Sequence, residues 1–157
     1  MVKNVFKKLG KKQKNNKGFS LVELIVVIAI MAVLVGVLAP QLIKYVEKSR
    51  EATDIQTCDN IATALKTYYA DEEVSASASA TATTVTVTLT TTELGTGADT
   101  AVKDAGLTKA KIKGTKWTSD KITIVYDKKD GTIEYTGDSP YYHSDKDQFK
   151  KGPKSGK

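Results

Sequence analysis

Among the side chains able to do chemistry, Glu23 has the most informative surroundings. It stands in the run Lys17-Gly18-Phe19-Ser20-Leu21-Val22-Glu23-Leu24, at the mouth of a stretch from Leu24 to Ile43 in which no residue is charged. Twenty residues at ~1.5 Å rise cover the ~30 Å hydrocarbon core of a bilayer, so the stretch can span a membrane. A carboxylate at the edge of such a span is costly in lipid and asks for a partner. The natural partner is a positive charge on another chain, so the chemistry read here is assembly rather than catalysis.

The remaining reactive residues build no catalytic constellation. His143 is the only histidine and Cys58 the only cysteine, so neither a zinc cluster nor an intramolecular disulfide can form. Cys58 falls on an apolar stripe and reads as a small buried hydrophobe. His143 reads as an exposed loop residue. Asp138, Asp145 and Asp147 could gather around calcium, but their spacing fits no complete oxygen-ligand motif, and solvated carboxylates are the better reading. Asp127 and Asp130 suit turn chemistry, Gly95 and Gly97 are too few for a phosphate loop, and Tyr141-Tyr142 reads as a packing or surface pair. No enzyme activity, cofactor or metal site is expected.

The formal net charge of +6 is a topology signal rather than a nucleic-acid signal. Residues 1–18 hold seven lysines and no acid, so everything after them sums to −1. Lysines beside an apolar span keep that end cytoplasmic and place residues beyond Ile43 outside. An ordinary cleaved secretory signal fits less well. Val37-Leu38-Ala39 is a poor cleavage site followed by Pro40, and Glu23 interrupts the apolar run.

The elements that must position Glu23 follow from periodicity. Beyond the apolar span, Leu42, Val46, Ala52, Ile55, Cys58, Ile61, Ala62, Leu65, Tyr68 and Tyr69 recur at helical spacing. The opposite face carries Lys44, Glu47, Lys48, Arg50, Glu51, Asp54, Asp59 and Lys66. One helix from about Ser20 to Tyr69 is predicted, roughly 75 Å long, with a kink or local melting at Gly36 and Pro40. Asp71-Glu72-Glu73 oppose the helix dipole and end it. Residues 75–84 are a low-complexity surface connection, and Thr86–Thr90 alternate as a half-buried strand. A short helix is expected around Ala101 to Ala105. The clearest later element is a hairpin, Ile122–Tyr126 and Thr132–Tyr135, joined through Asp130-Gly131. Its face of Ile122, Ile124, Tyr126, Ile133 and Tyr135 is expected to meet Ile55, Ile61, Leu65 and Tyr68. Trp117 is assigned to an adjoining strand or its edge.

The fold class is therefore α+β: a long amino-terminal helix packed on a small carboxy-terminal antiparallel sheet. The organisation is a lysine-rich leader (1–18), a transmembrane or filament-core helix (19–43), an amphipathic half (44–71), a globular sheet domain (72–136) and a polar tail (137–157).

The order Gly18-Phe19-Ser20-Leu21-Val22-Glu23 before an apolar helix, behind a lysine leader, resembles the class III signal of type IV pilins and of the pseudopilins of type II secretion. The resemblance covers about the first third of the chain. It implies that a membrane prepilin peptidase cuts between Gly18 and Phe19 and that the new Phe19 amine is methylated. It also implies that Glu23, fifth after the cut, pairs with a neighbouring subunit during polymerisation. The expected protein is a structural subunit of an extracellular type IV pilus, with adhesion, motility, biofilm or DNA uptake as its service. Its partners would be further copies of itself, the peptidase, the pilus assembly machinery and, before assembly, membrane lipid. A pseudopilin of a secretion or competence system is the nearest alternative, and an uncleaved single-pass anchored binding domain is the alternative of another class. The missing cysteine pair departs from many pilins, whose carboxy-terminal loop is closed by a disulfide.

Overall fold

The computed structural model describes residues 18–71, 83–95 and 98–154. The leader before Gly18, most of the serine, alanine and threonine connection, Gly97 and the last three residues lie outside the described residues. Two compact units divide at Pro40, and each is described by itself.

The first unit holds the start of helix α1 (Leu21–Tyr69), a helix of 49 residues with Pro40 inside it. Valine and isoleucine are modest helix formers, but in lipid every backbone N–H and C=O must be satisfied within the segment, and a helix does that. Leu21 through Leu38 leave their large apolar side chains exposed all round. Among the described residues, α1 is the one helix long and apolar enough to cross a membrane.

The second unit, from Gln41, holds the remainder of α1 and the sheets. Strands β1 (Thr84–Leu89), β2 (Ile122–Asp127) and β3 (Ile133–Thr136) form an antiparallel sheet in the order β1-β2-β3. Their register places Val85 opposite Tyr126, Val87 opposite Ile124 and Leu89 opposite Ile122, with Ile124 opposite Tyr135 and Tyr126 opposite Ile133. The alternating pattern thus puts one apolar set on one face. Cys58, Ile61, Leu65 and Tyr69 of α1 join that set in a core completed by Val102, Ile112 and Trp117. Ile55 and Tyr68, expected to cover the sheet, sit only at the rim of this core. Helix α2 (Thr100–Asp104) is capped by Asp99, whose side chain accepts from the Ala101 N–H. The β2–β3 turn closes through the Gly131 N–H on the Asp127 carbonyl at 2.9 Å, and Gly131 adopts a φ of 72°. The sequence places glycine where that angle is needed.

Two expectations are corrected. Residues 137–157 are not a polar tail throughout, because β4 (Tyr142–Asp145) and β5 (Gln148–Lys151) pair as an antiparallel hairpin. It is attached to β3 through the Tyr135 N–H on the Lys146 carbonyl, 3.0 Å. Tyr142 is buried, and the Phe149 ring packs 5.7 Å from Trp117 and 5.2 Å from Tyr135. Two aromatic anchors among polar neighbours leave no readable period. Trp117 lies in no strand. It precedes a 3-10 turn, Thr118–Asp120, that turns through positive φ at Ser119 and Asp120.

Candidate functional site

Gly18, Phe19 and Ser20 lie outside any helix or strand, immediately ahead of α1, and are exposed. Among the described residues nothing stands within 4 Å of where a Gly18 side chain would begin, and Phe19 is 91% exposed. The Gly18–Phe19 bond is therefore accessible. Glu23 lies in the first turn of α1, where its Oε2 accepts the backbone N–H of Ser20 at 2.8 Å. Ser20 Oγ in turn accepts the Val22 N–H at 3.3 Å. The two residues form a capping box, each satisfying donors that the first helical turn leaves open. This role of Ser20 and Glu23 was missed in the sequence, although serine followed three residues later by glutamate ahead of an apolar run is its signature. Among the described residues Glu23 has no ion-pair partner. A carboxylate at the entrance of an exposed apolar helix can thus hold its own helix end and still receive a cation.

Among the described residues nothing stands within 4 Å of where a Gly36 side chain would begin. Pro40 lies inside α1.

A second arrangement of carboxylates occupies the part of α1 beyond the apolar span. Glu47, Glu51 and Asp54, which the periodicity places opposite the apolar stripe, are 7%, 0% and 1% exposed. Spaced at i, i+4 and i+7, they share one face of the helix. Residues 113–117 run against them as a row of donors. Asp54 Oδ1 accepts the Lys113 N–H at 2.7 Å, and its Oδ2 accepts the Gly114 N–H at 2.7 Å and Trp117 Nε1 at 2.9 Å. Glu47 accepts the Thr115 N–H and lies 3.8 Å from Arg50. Glu51 accepts the Ser139 hydroxyl, which itself accepts the N–H groups of Tyr141 and Tyr142. A side chain at Gly114 would sit 2.7 Å from Glu51 Cγ and 2.9 Å from both Asp54 Oδ2 and Trp117 Nε1, so only glycine fits.

Within this clamp Glu51 Oε1 is buried without a hydrogen-bond partner among the described residues. Burial pushes the Glu51 carboxyl above its ordinary range; the Ser139 hydroxyl opposes the shift, and the neighbouring Glu47 and Asp54 add to it. Cys58, next along the buried face, is fully enclosed. Its thiol is pushed well up by burial and then by Asp54 and Asp59, which makes it inert.

The other candidates disperse. Asp145 pairs with Lys150, and Asp138 with Lys154 at 3.6 Å. Asp147 is exposed beside the β4–β5 turn, and no group of three metal-binding side chains exists among the described residues. Asp127 and Asp130 serve the β2–β3 turn by accepting the Lys129 and Thr132 N–H groups. His143 sits on β4 rather than in a loop, with Nδ1 2.9 Å from the Gly152 carbonyl.

Comparison with known proteins bears on the first arrangement. Residues 13–39 match the family description "Prokaryotic N-terminal methylation motif". A protein named "Prepilin peptidase-dependent protein A" from Clostridium perfringens (strain 13 / Type A) is 40% identical over 70 residues, 43% of this chain. The match covers 49% of that protein, so about half of its length is represented. No solved structure matches the chain. This motif, with the apolar helix behind it, is that of a membrane-anchored precursor. The residues around Gly18, Phe19 and Glu23 are a prokaryotic N-terminal methylation motif, the class III signal of type IV pilins.

Proposed function

We propose that this chain is a structural pilin subunit rather than an enzyme, processed by a prepilin peptidase and polymerised into an extracellular type IV pilus. The observation that carries the reading is the exposed Gly18–Phe19 junction one residue ahead of a capped apolar helix with Glu23 in its first turn. Cleavage after Gly18 frees the Phe19 amine, which methylation then modifies. Glu23 keeps Ser20 on one oxygen and receives the Phe19 amine of a neighbouring copy on the other. The apolar surface of residues 24–43 is then covered by equivalent helices, and Gly36 with Pro40, which withdraws a backbone donor, lets α1 adjust as they pack. Burying both charges is costly, so the pair sets register more than it adds stability. Removing one partner leaves the other uncompensated and costs ~3–5 kcal/mol per contact.

The test is a paired measurement in a strain with no wild-type copy. Gly18→Trp should leave the chain at precursor mass, whereas Glu23→Ala should be cleaved yet yield no sheared filaments. Filaments at normal yield from Glu23→Ala would reject polymerisation through this contact. A wild-type chain that is never cut would leave a permanently anchored domain. Wild-type subunits confined to short filaments that never leave the envelope would identify a pseudopilin.

A further inference from the structure

The buried carboxylates leave a mark on the outside of the second unit. By turning Glu47, Glu51 and Asp54 inward, α1 removes its acids from the surface immediately beyond Ile43. What remains exposed there is cationic: Lys44, Lys48 and Arg50 on the helix. Residues 113–116 bring more. This segment is held at Asp54 through the Lys113 and Gly114 N–H groups and at Glu47 through the Thr115 N–H, before Trp117 returns to Asp54. The loop therefore descends along α1 toward Ile43 and turns back at Lys116, which is exposed.

Heights along the helix follow from the rise per residue. Glu47 lies about 6 Å beyond Ile43 and Lys48 about 8 Å. Lys44, Lys48 and Lys116 therefore stand within about one Debye length of the point where the apolar span ends. None of the three has an ion-pair partner among the described residues. Tyr45, 66% exposed, and the exposed Val46 share the level. An aromatic ring among lysines at the exit of an apolar helix is what the water–lipid boundary selects.

We propose that this end of the head is a seat for anionic lipid headgroups, with Lys44, Lys48 and Lys116 as the contacting cations and Tyr45 dipping beside them. The proposal rests on the membrane-anchored precursor reading. Each lysine near an anionic surface adds attraction that fades within a Debye length, so the seat is sensitive to salt. The unassembled subunit is thereby held with its head on the outer leaflet, and leaving for a polymer exchanges headgroups for protein.

Trp117 is the single tryptophan and follows Lys116 directly, so it reports the seat without labelling. The full chain is reconstituted into phosphatidylcholine vesicles with or without phosphatidylglycerol, each containing a headgroup-nitroxide lipid. Flotation confirms insertion, and quenching of Trp117 is measured. The expected result is roughly twofold stronger quenching with the anionic lipid, reduced by high salt and by the double substitution Lys48→Gln and Lys116→Gln. Equal quenching in both lipids, with the chain inserted in both, overturns the seat and leaves the anchored-precursor reading standing. A chain that fails to float overturns both. Trp117 emission that responds to soluble heparin, with no lipid-dependent quenching, identifies a soluble polyanion instead and overturns the lipid assignment. The salt comparison on the unaltered chain decides the matter even if the double variant misfolds.

Discussion

Residues 58–69 and residues 47–54 of the same helix hold the same head by opposite means. The farther stretch buries Cys58, Ile61, Leu65 and Tyr69 against the sheet. Each fully buried aliphatic chain contributes about 1.5–3 kcal/mol, without direction and with some tolerance for repacking. The nearer stretch buries three carboxylates against backbone and side-chain donors. Such contacts add little net stability, because water is given up to make them, yet each is expensive to leave half-made. Apolar packing fixes the head to the helix, and the carboxylates fix where along the helix the loop sits.

The largest effect is expected where one removal orphans the most donors. Asp54→Ala strands the Lys113 and Gly114 N–H groups and Trp117 Nε1, at about 1–3 kcal/mol for each buried donor. Urea unfolding of the full chain in detergent should show the loss. Leu65→Ala, in the apolar stretch, should cost about 2–5 kcal/mol by the same measurement. A cost for Asp54→Ala well below that of Leu65→Ala would collapse the contrast and mean that the loop finds other acceptors. Gly114→Ala should cost about 1–3 kcal/mol, since the added carbon meets Glu51, Asp54 and Trp117 together and no single neighbour can give way.

The smallest effect sharpens the comparison through pH. Burial raises the Glu51 carboxyl above the ordinary carboxylate range, so the folded chain binds this proton more readily than the unfolded one. The destabilisation from its charge is complete above the raised folded value, fades as pH falls through it and is gone below the unfolded value. Thermal melts should therefore show a gain from this group as pH drops from neutral through its raised folded value. Glu51→Gln should possess that gain at neutral pH and lose the slope. An unchanged slope in the variant would assign the pH dependence to another group.

How much of this was legible in the sequence differs along the chain for physical reasons. The helix from Leu21 to Tyr69, strands β1 to β3 and the Asp130-Gly131 turn were readable, because long apolar periods and turn chemistry are local signals. The Gly18 to Glu23 motif was readable by its order. The clamp was not: a charged residue at helical spacing reads as solvated, and the donors that bury Glu47, Glu51 and Asp54 come from about sixty to ninety positions away. The apolar positions Leu42, Val46 and Ala52 were read as continuing the inward stripe, yet they are exposed, because the buried line passes through the acids instead. The β4–β5 hairpin was hidden for a related reason, since only Tyr142 and Phe149 anchor it.

The absence of a second cysteine has a mechanical consequence. Tension along α1 loads the contacts of Glu47 and Asp54 sideways, and no covalent bridge shares the load. Amide–carboxylate contacts break and re-form in water without an oxidant, whereas a torn disulfide needs redox chemistry to close. A head pulled from its helix therefore fails by yielding and recovers its seating when the pull stops.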